Sequence, residues 1–149
     1  MTFDGIFTKW MMDEVAPQLV GGRITKIHQP LPYDVQFTIR ANRKNYLLVC
    51  SAHPMMARVQ FISEKPENPE VAPNFCMILR KYLEGSIIQS FTQVENDRIV
   101  EMTVSNKNEI GDHIQATLII EIMGKHSNIL LVDKSSHKIL EVIKHVGFS

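Results

Sequence analysis

The spacing of apolar residues first follows a helical period. Near the N-terminus, apolar side chains recur every three to four residues, as they do on the buried face of a helix. They are Ile6, Phe7, Trp10, Met11 and Val15. The pattern predicts a helix over residues 4–18. Asp4 is in position to cap its N-terminus, and the pair Gly21-Gly22 is in position to end it.

From Arg23 onward the period changes to two, which is typical of β-strands. Four stretches follow in hairpin succession, separated by turns that contain Pro or Asn: RITKIHQ, YDVQFTIRA, KNYLLVCSA and ARVQFIS. Five more occur in the second half of the chain: SIIQSFTQVE, RIVEMTVS, ATLIIEIMG, NILLVD and KILEVIKHV. Strands therefore dominate the prediction.

The two groups of strands are separated by a loop and a second helix. The loop EKPENPEVAPN holds three prolines, and the segment after it carries Phe75, Ile78, Leu79 and Tyr82 at helical spacing up to Gly85. This predicts a helix over residues 74–84. An α+β fold follows from this order of elements. We expect a β-rich, two-sheet antiparallel sandwich with two helices, in one domain over residues 1–149.

Charge and composition limit the classes of partner. Sixteen basic and sixteen acidic residues cancel, and 44% of the residues are hydrophobic. These values are typical of a folded globular domain, and a nucleic-acid partner would have to meet a local basic patch. The candidates are Arg40, Arg43 and Lys44 at a hairpin turn and Arg80 and Lys81 on the second helix. Ordinary solvated surface charge is the alternative.

The two cysteines and the N-terminus indicate the compartment. Cys50 and Cys76 lie within apolar runs without CxxC spacing, so we expect buried free thiols. The N-terminal segment lacks the basic and uninterrupted apolar regions of a signal peptide, and no stretch is long and apolar enough to span a membrane. A cytoplasmic protein without membrane association is expected.

Motifs for catalysis or cofactors are weak in this sequence. Neither GxxxxGK[ST] nor GxGxxG occurs, and the six histidines show no HxH, HExxH or HxxxH spacing. Ser51 or Cys50 with His53 could form a nucleophilic dyad, but no neighbouring residue in the sequence orients the imidazole. We therefore expect no enzyme activity, no metal and no cofactor.

Polar residues at strand ends are the better candidates for function. Asp97 and Arg98 stand at the turn that leads into the strand RIVEMTVS, where an acceptor and a forked donor can point outward together. The segment MGKHSN interrupts two apolar runs, as a bulge or tight turn does. A solvated turn is the simpler interpretation of each when it is considered alone.

Taken together, these segments resemble a known family. The blocks are FDGIF, GGRITKIHQP, TIRANRKN, LLVCSAHPMMARVQ, FCMILRKYLEG, DRIVEMTVSNKNEIGD and EIMGKHSNILLVD. Their content and order resemble the N-terminal NFACT domain, NFACT-N, of the fibronectin-binding protein A family, which includes the bacterial ribosome quality-control factor RqcH. The resemblance runs from Met1 to Ser149, so we expect this domain to be a fragment of a longer multidomain protein.

The resemblance implies a function in translation. Members of this family bind 50S ribosomal subunits stalled with peptidyl-tRNA, recruit alanyl-tRNA, and direct the addition of a C-terminal alanine tail to the nascent chain. It implies a tRNA-binding site here. The residues that match are Asp97, Arg98 and Asp4, the strand segment Glu121, Ile122 and Met123, and Lys125 and His126 in the turn that follows.

Two other functions are implied by related resemblances. The family name suggests a surface adhesin that binds fibronectin, which would require export. The NFACT-N architecture also resembles the N-terminal domain of formamidopyrimidine-DNA glycosylases, whose nucleophile is an N-terminal proline amine. Here the second residue is Thr2 and the third is Phe3, so glycosylase chemistry lacks its nucleophile.

Overall fold

The computed structural model describes residue 13 and residues 16–54, 58–62, 71–94, 98–107 and 110–145. The helices in these residues are α1 (Ala16–Leu19) and α2 (Asn74–Leu83), and a short 3₁₀ helix covers Gly124–His126. The strands are β1 (Arg23–Leu31), β2 (Asp34–Ala41), β3 (Lys44–Ser51), β4 (Arg58–Ile62), β5 (Ile87–Val94), β6 (Ile99–Lys107), β7 (His113–Glu121), β8 (Asn128–Asp133) and β9 (Ile139–Val142). Each stretch of period two in the sequence contains a strand, as predicted.

The two predicted helices differ in how much of each the structure describes. Asp4 and most of the first predicted helix lie outside the described residues, but its end is α1, where Gly21 adopts a φ of +88° and Gly22 N–H donates to the Leu19 carbonyl at 2.8 Å. Helix α2 confirms the prediction almost to the residue. It buries Phe75, Cys76, Leu79 and Leu83, and Gly85, two residues after its end, has a φ of +86°.

The described strands form one antiparallel sheet of nine strands in the order β4-β3-β2-β1-β5-β6-β7-β8-β9. The predicted two-sheet sandwich is therefore not confirmed. Its two strand groups exist as predicted, but β1 and β5 join them through the pair Arg23 and Ile87. Backbone hydrogen bonds continue this junction, from Gly21 N to the Ile88 carbonyl and from Ile88 N to the Gly22 carbonyl, both at 2.8 Å.

Gly22 allows the two groups of strands to meet. A Cβ atom at this position would lie 2.9 Å from the Ala41 Cβ and 2.9 Å from the Leu19 carbonyl oxygen, closer than side-chain carbons pack. Only glycine fits such a close backbone approach. Strand β3 also contacts β8 in the other half of the sheet, so the sheet curves around its core.

The core takes side chains from both halves of the sheet and from α2. Phe37, Leu48, Met102 and Leu118 are among the largest fully buried side chains. The predicted burial of Cys50 and Cys76 is confirmed, since both thiols are free and inaccessible. Burial raises the pKa of both thiols, because an apolar environment disfavours the thiolate.

Candidate functional site

Arg98 and the segment Glu121–Met123 lie side by side at one end of the sheet. β6 begins beside the end of β7, and the Arg98 carbonyl accepts a hydrogen bond from Ile122 N–H at 2.8 Å. The next residues along, Ile99 and Glu121, are paired across the two strands. Antiparallel pairing therefore places Arg98 next to the strand end that carries the sequence EIM, although Arg98 and Ile122 are 24 positions apart in the chain.

The turn between β7 and β8 explains the interruption of the apolar runs. Gly124 adopts a φ of +59°, a left-handed conformation that few residues other than glycine take readily. The turn is closed by hydrogen bonds from His126 N–H to the Met123 carbonyl and from Ser127 N–H to the Gly124 carbonyl, both at 3.1 Å. The sequence prediction of a turn at this position is confirmed, and its form is a single 3₁₀ turn.

Ser127 supports this turn from inside the protein. Its side chain is only 1% exposed, and its hydroxyl oxygen accepts the Met123 N–H at 2.7 Å. That bond spans the whole 3₁₀ turn and satisfies a backbone donor that the end of the strand would otherwise leave without a partner. Ser127 is therefore structural, whereas Lys125 and His126 on the same turn are exposed.

Asn128 ties the turn to the end of β9. Its side-chain oxygen accepts the backbone N–H of Lys144 at 3.1 Å, and its amide nitrogen donates to the Lys144 carbonyl at 3.1 Å. The Lys144 ammonium in turn donates to the Lys125 carbonyl at 3.4 Å. The chain after β9 is thus held against the turn that presents Lys125.

The turn between β1 and β2 adds an aromatic residue. The Lys144 ammonium lies 4.9 Å from the centre of the Tyr33 ring, within the range of a cation–π interaction. Desolvation by its surroundings lowers the pKa of Lys144 below its ordinary value of 10.5. We call Arg98, Met123, Lys125 and His126, together with Tyr33 and Lys144, the β7–β8 surface.

This surface offers several kinds of contact. Arg98 carries a planar set of donors, Lys125 a point charge and His126 a ring with a donor and an acceptor. Met123, at 37% exposure, offers an apolar side chain on which a planar group could rest. Glu121 and Ile122 are half-buried, and Ile122 packs against the core. Proteins recognise unpaired bases with hydrogen-bond donors, with apolar surface on which a base can stack, and with exposed backbone groups. This surface has all three.

Not all sequence candidates meet at this surface. Asp4 and Asp97 lie outside the described residues. Arg80 is held elsewhere, because its Nε–H donates to the Ile27 carbonyl at 2.8 Å and a terminal nitrogen lies 3.3 Å from His28 Nδ1. Arg40, Arg43 and Lys44 lie at the opposite end of the sheet, since β2 runs away from Tyr33.

Tyr33 and Lys144 were missed by the sequence analysis. Neither lies in a motif, and 111 positions separate them in the chain. Only the folding of the sheet brings the β1–β2 turn to the end of β9. The local sequence carries no signal of that meeting.

Ser51 and His53, considered above as a nucleophilic dyad, both lie in the part of the chain that the structure describes. Ser51 Oγ donates to Asp34 Oδ1 at 2.5 Å and accepts the backbone N–H of His53 at 3.1 Å, so His53 reaches this hydroxyl through its backbone. No group of three His, Cys, Asp or Glu side chains among these residues could hold a metal ion. The helices in this part are too short to cross a membrane.

Residues 4–149 match the family of NFACT N-terminal and middle domains. This chain belongs to the NFACT-N family. It is 64% identical over its whole length to the Rqc2 homolog RqcH of Streptococcus pneumoniae strain D39, and 47% identical over 99% of its length to the RqcH of Bacillus subtilis strain 168. It spans only 27% and 26% of those two proteins, so it corresponds to about a quarter of each.

Solved structures share this NFACT-N fold. The N-terminal domain of fibronectin-binding protein PavA from Streptococcus pneumoniae superposes with a TM-score of 0.95 at 64% identity, over 99% of this chain and 56% of that one. The fibrinogen-binding protein from Staphylococcus aureus superposes with a TM-score of 0.85 at 43% identity, over 99% of this chain and 52% of that one. These TM-scores show that the fold is shared.

Proposed function

We propose that this NFACT-N domain is a tRNA-binding module of a ribosome quality-control factor. In the full-length protein it would recruit alanyl-tRNA to 50S subunits stalled with peptidyl-tRNA, so that alanine is added to the C-terminus of the nascent chain. The relatives called RqcH support this assignment. The domain acts in the cytoplasm by binding, without a cofactor and without enzyme activity of its own.

The hydrogen bond between Ile122 N–H and the Arg98 carbonyl carries the proposal. It joins Arg98 to the strand end that leads into the segment MGKHSN, and the sequence analysis named both Arg98 and that segment as candidates. Arg98, Met123, Lys125 and His126 are all exposed around this bond. Such a surface suits the anticodon loop of a tRNA, because unpaired bases can stack on side chains and form hydrogen bonds with them.

Electrostatics favour RNA at this surface even though the net charge is zero. Arg98, Lys125 and Lys144 bring three cationic side chains to the turn, so attraction for phosphates is local. Glu121 and Glu141 are nearby carboxylates, and Glu141 lies 2.9 Å from His145 Nε2. A carboxylate such as Glu121 can accept from a base amino group or a ribose hydroxyl, which adds selectivity to the general attraction.

The test is Arg98→Ala, alone and with Asp97→Ala, in the full-length protein. The substitution keeps the Arg98 carbonyl that Ile122 binds, so only the side chain is removed. We expect tRNA co-purification to fall by about tenfold, since one stacking or hydrogen-bonding contact to a base is worth about 1–3 kcal/mol. The melting temperature should hardly change, because exposed substitutions cost less than about 0.5 kcal/mol.

Lys138→Ala is the control for this test. Lys138 is also an exposed cation at a turn, but it lies at the other end of β8. Normal alanine tailing and normal tRNA recovery in the Arg98→Ala variant would contradict the proposal. A collapse of the melting temperature would make Arg98 a structural residue instead.

A fibronectin-binding adhesin is the second candidate. The structural relatives named for binding fibronectin or fibrinogen favour it. Cell fractionation separates the two functions: sedimentation of the full-length protein with 50S subunits supports the first, and its recovery from the cell surface with saturable fibronectin binding supports the second.

A further inference from the structure

A second concave site lies at the opposite end of the sheet from the β7–β8 surface. It is a cavity of about 290 Å³ between the end of α2, the starts of β1 and β5, the end of β6 and the start of β7. Its described lining is Arg23, Gly85, Ile87, Ser105, Asn106, Lys107 and His113. We call it the Arg23 pocket. Strand β6 has nine residues, so at about 3.4 Å per residue the two sites are about 27 Å apart.

The sheet register fixes the polar residues of this pocket. Arg23 pairs with Ile87, and Ile87 pairs in turn with Ser105, so these three lie in one row across the sheet. Two residues further along β6, Lys107 is directly opposite His113. The lining of the cavity thus includes Arg23 from β1, Lys107 from β6 and His113 from β7.

Hydrogen bonds hold several polar side chains of the pocket in place. The Arg23 guanidinium donates one bond to the Gly85 carbonyl at 3.0 Å, which anchors it while its other N–H groups remain to bind a ligand. Ser105 Oγ accepts from Gln89 Nε2 at 2.6 Å, so its own hydrogen can point elsewhere. Asn106 Oδ1 accepts the N–H of Lys107 at 2.8 Å, and its amino group lies 4.0 Å from the place a Cβ on Gly85 would occupy.

The charged side chains among the described lining residues are both cationic. None of its described lining residues is acidic, and Arg23 and Lys107 are cationic. Arg23 also lies directly opposite Arg40 on β2, and Arg43 and Lys44 follow in the turn. Like charges opposite one another in a sheet are destabilising, so stability does not account for this arrangement. An anion bound between these side chains would relieve their repulsion.

We propose that the Arg23 pocket binds a phosphate group. A phosphate is tetrahedral and accepts hydrogen bonds in several directions, which suits a lining that offers the Arg23 guanidinium on β1 and a hydroxyl, an amide and an ammonium on β6. The group could belong to an RNA backbone or to a small phosphate compound, and the chemistry of the pocket is the same for both. This inference goes beyond the tRNA site proposed above and does not depend on it.

The experiment uses the full-length protein with two probes, inorganic pyrophosphate and a 20-nucleotide single-stranded RNA of mixed sequence. Lys107→Gln and the double variant Arg23→Gln/Lys107→Gln remove charge from the pocket. Lys134→Gln/Lys138→Gln removes two charges from the exposed β8–β9 turn and is the matched control. Replacing Arg23 also removes its hydrogen bond to the Gly85 carbonyl. If the double variant does not fold for that reason, Lys107→Gln alone tests the proposal.

We expect at least one probe to bind the pocket variants about fivefold or more weakly, with less than about a twofold change in the control. If the ligand is an RNA backbone, the RNA probe is affected, and the dependence of log K on log salt becomes shallower by about 0.7 for each phosphate that the variant no longer neutralises. If it is a small phosphate compound, only pyrophosphate is affected. Unchanged binding of both probes, or an equally weakened control, would overturn the proposal.

Discussion

The hydroxyl of Ser127 should stabilise the β7–β8 turn through one hydrogen bond, and Ser127→Ala removes that bond alone. The acceptor of this bond is Ser127 Oγ, which lies 2.7 Å from Met123 N. Ser127 is only 1% exposed. A buried donor left without an acceptor costs about 1–3 kcal/mol. Because Met123 itself is 37% exposed, water can partly replace the hydroxyl, and we expect the lower part of that range, about 1–1.4 kcal/mol.

Hydrogen exchange of the Met123 amide measures this local effect in the full-length protein, where a global melt would mix several domains. A loss of about 1–1.4 kcal/mol corresponds to exchange about five- to tenfold faster. Ser135→Ala is the matched control, because the exposed Ser135 hydroxyl shares the Asp133 carboxylate with Ser136. Unchanged Met123 exchange in Ser127→Ala would refute this account of the turn.

Two further predictions follow from buried and hydrogen-bonded groups. Cys50 and Cys76 should react slowly with a thiol reagent in the native protein and promptly in denaturant, because burial raises both thiol pKa values; rapid native labelling would contradict their burial. The Ser136 hydroxyl, which donates to Asp133 at 2.6 Å, holds the pKa of that carboxyl below its ordinary value of 3.8. The resulting stabilisation is present above pH 3.8 and is lost as the pH falls through the lower folded-state pKa. Titration of Asp133 by NMR should show this pKa moving up toward 3.8 in Ser136→Ala, and an unchanged value would exclude the hydroxyl as its cause.

The strands could be predicted from the sequence because their apolar residues recur at a period of two. Helix α2 was equally clear, since four apolar residues at helical spacing precede a glycine with positive φ. These signals are local, and they report the environment of each residue within its own element. They do not report which strand edges meet.

The single sheet could not be predicted for that reason. The pairing of β1 with β5 depends on the close approach of backbone at Gly22, where a Cβ atom would collide with Ala41. In the sequence, Gly21-Gly22 indicates only the end of a helix. A glycine that ends a helix and one that allows two strand groups to join look the same before the fold is known. The likeness to glycosylase domains remains a prediction from the sequence.

The candidate site was predictable only in part. Turn chemistry identified the segment MGKHSN, but it could not separate the buried Ser127 from the exposed Lys125 and His126. Similarly, the sequence placed Arg80 among the candidates for a basic surface patch, but its Nε–H donates a hydrogen bond to the Ile27 carbonyl. The difference between a structural and a binding polar residue lies in long-range contacts, which the spacing of residues does not encode.

The two proposed binding surfaces lie at opposite ends of the same strands of the antiparallel sheet. β6 begins next to Arg98 and ends at Lys107, so one nine-residue strand connects the proposed tRNA site with the proposed phosphate pocket. When two substitutions are more than about 7–10 Å apart and share no partners, the free-energy changes that they cause usually add. At a separation of about 27 Å, the effects of Arg98→Ala and Lys107→Gln should therefore be independent. Loss of binding at one end would leave the proposal for the other end intact, whereas a fault in the strand itself would weaken both.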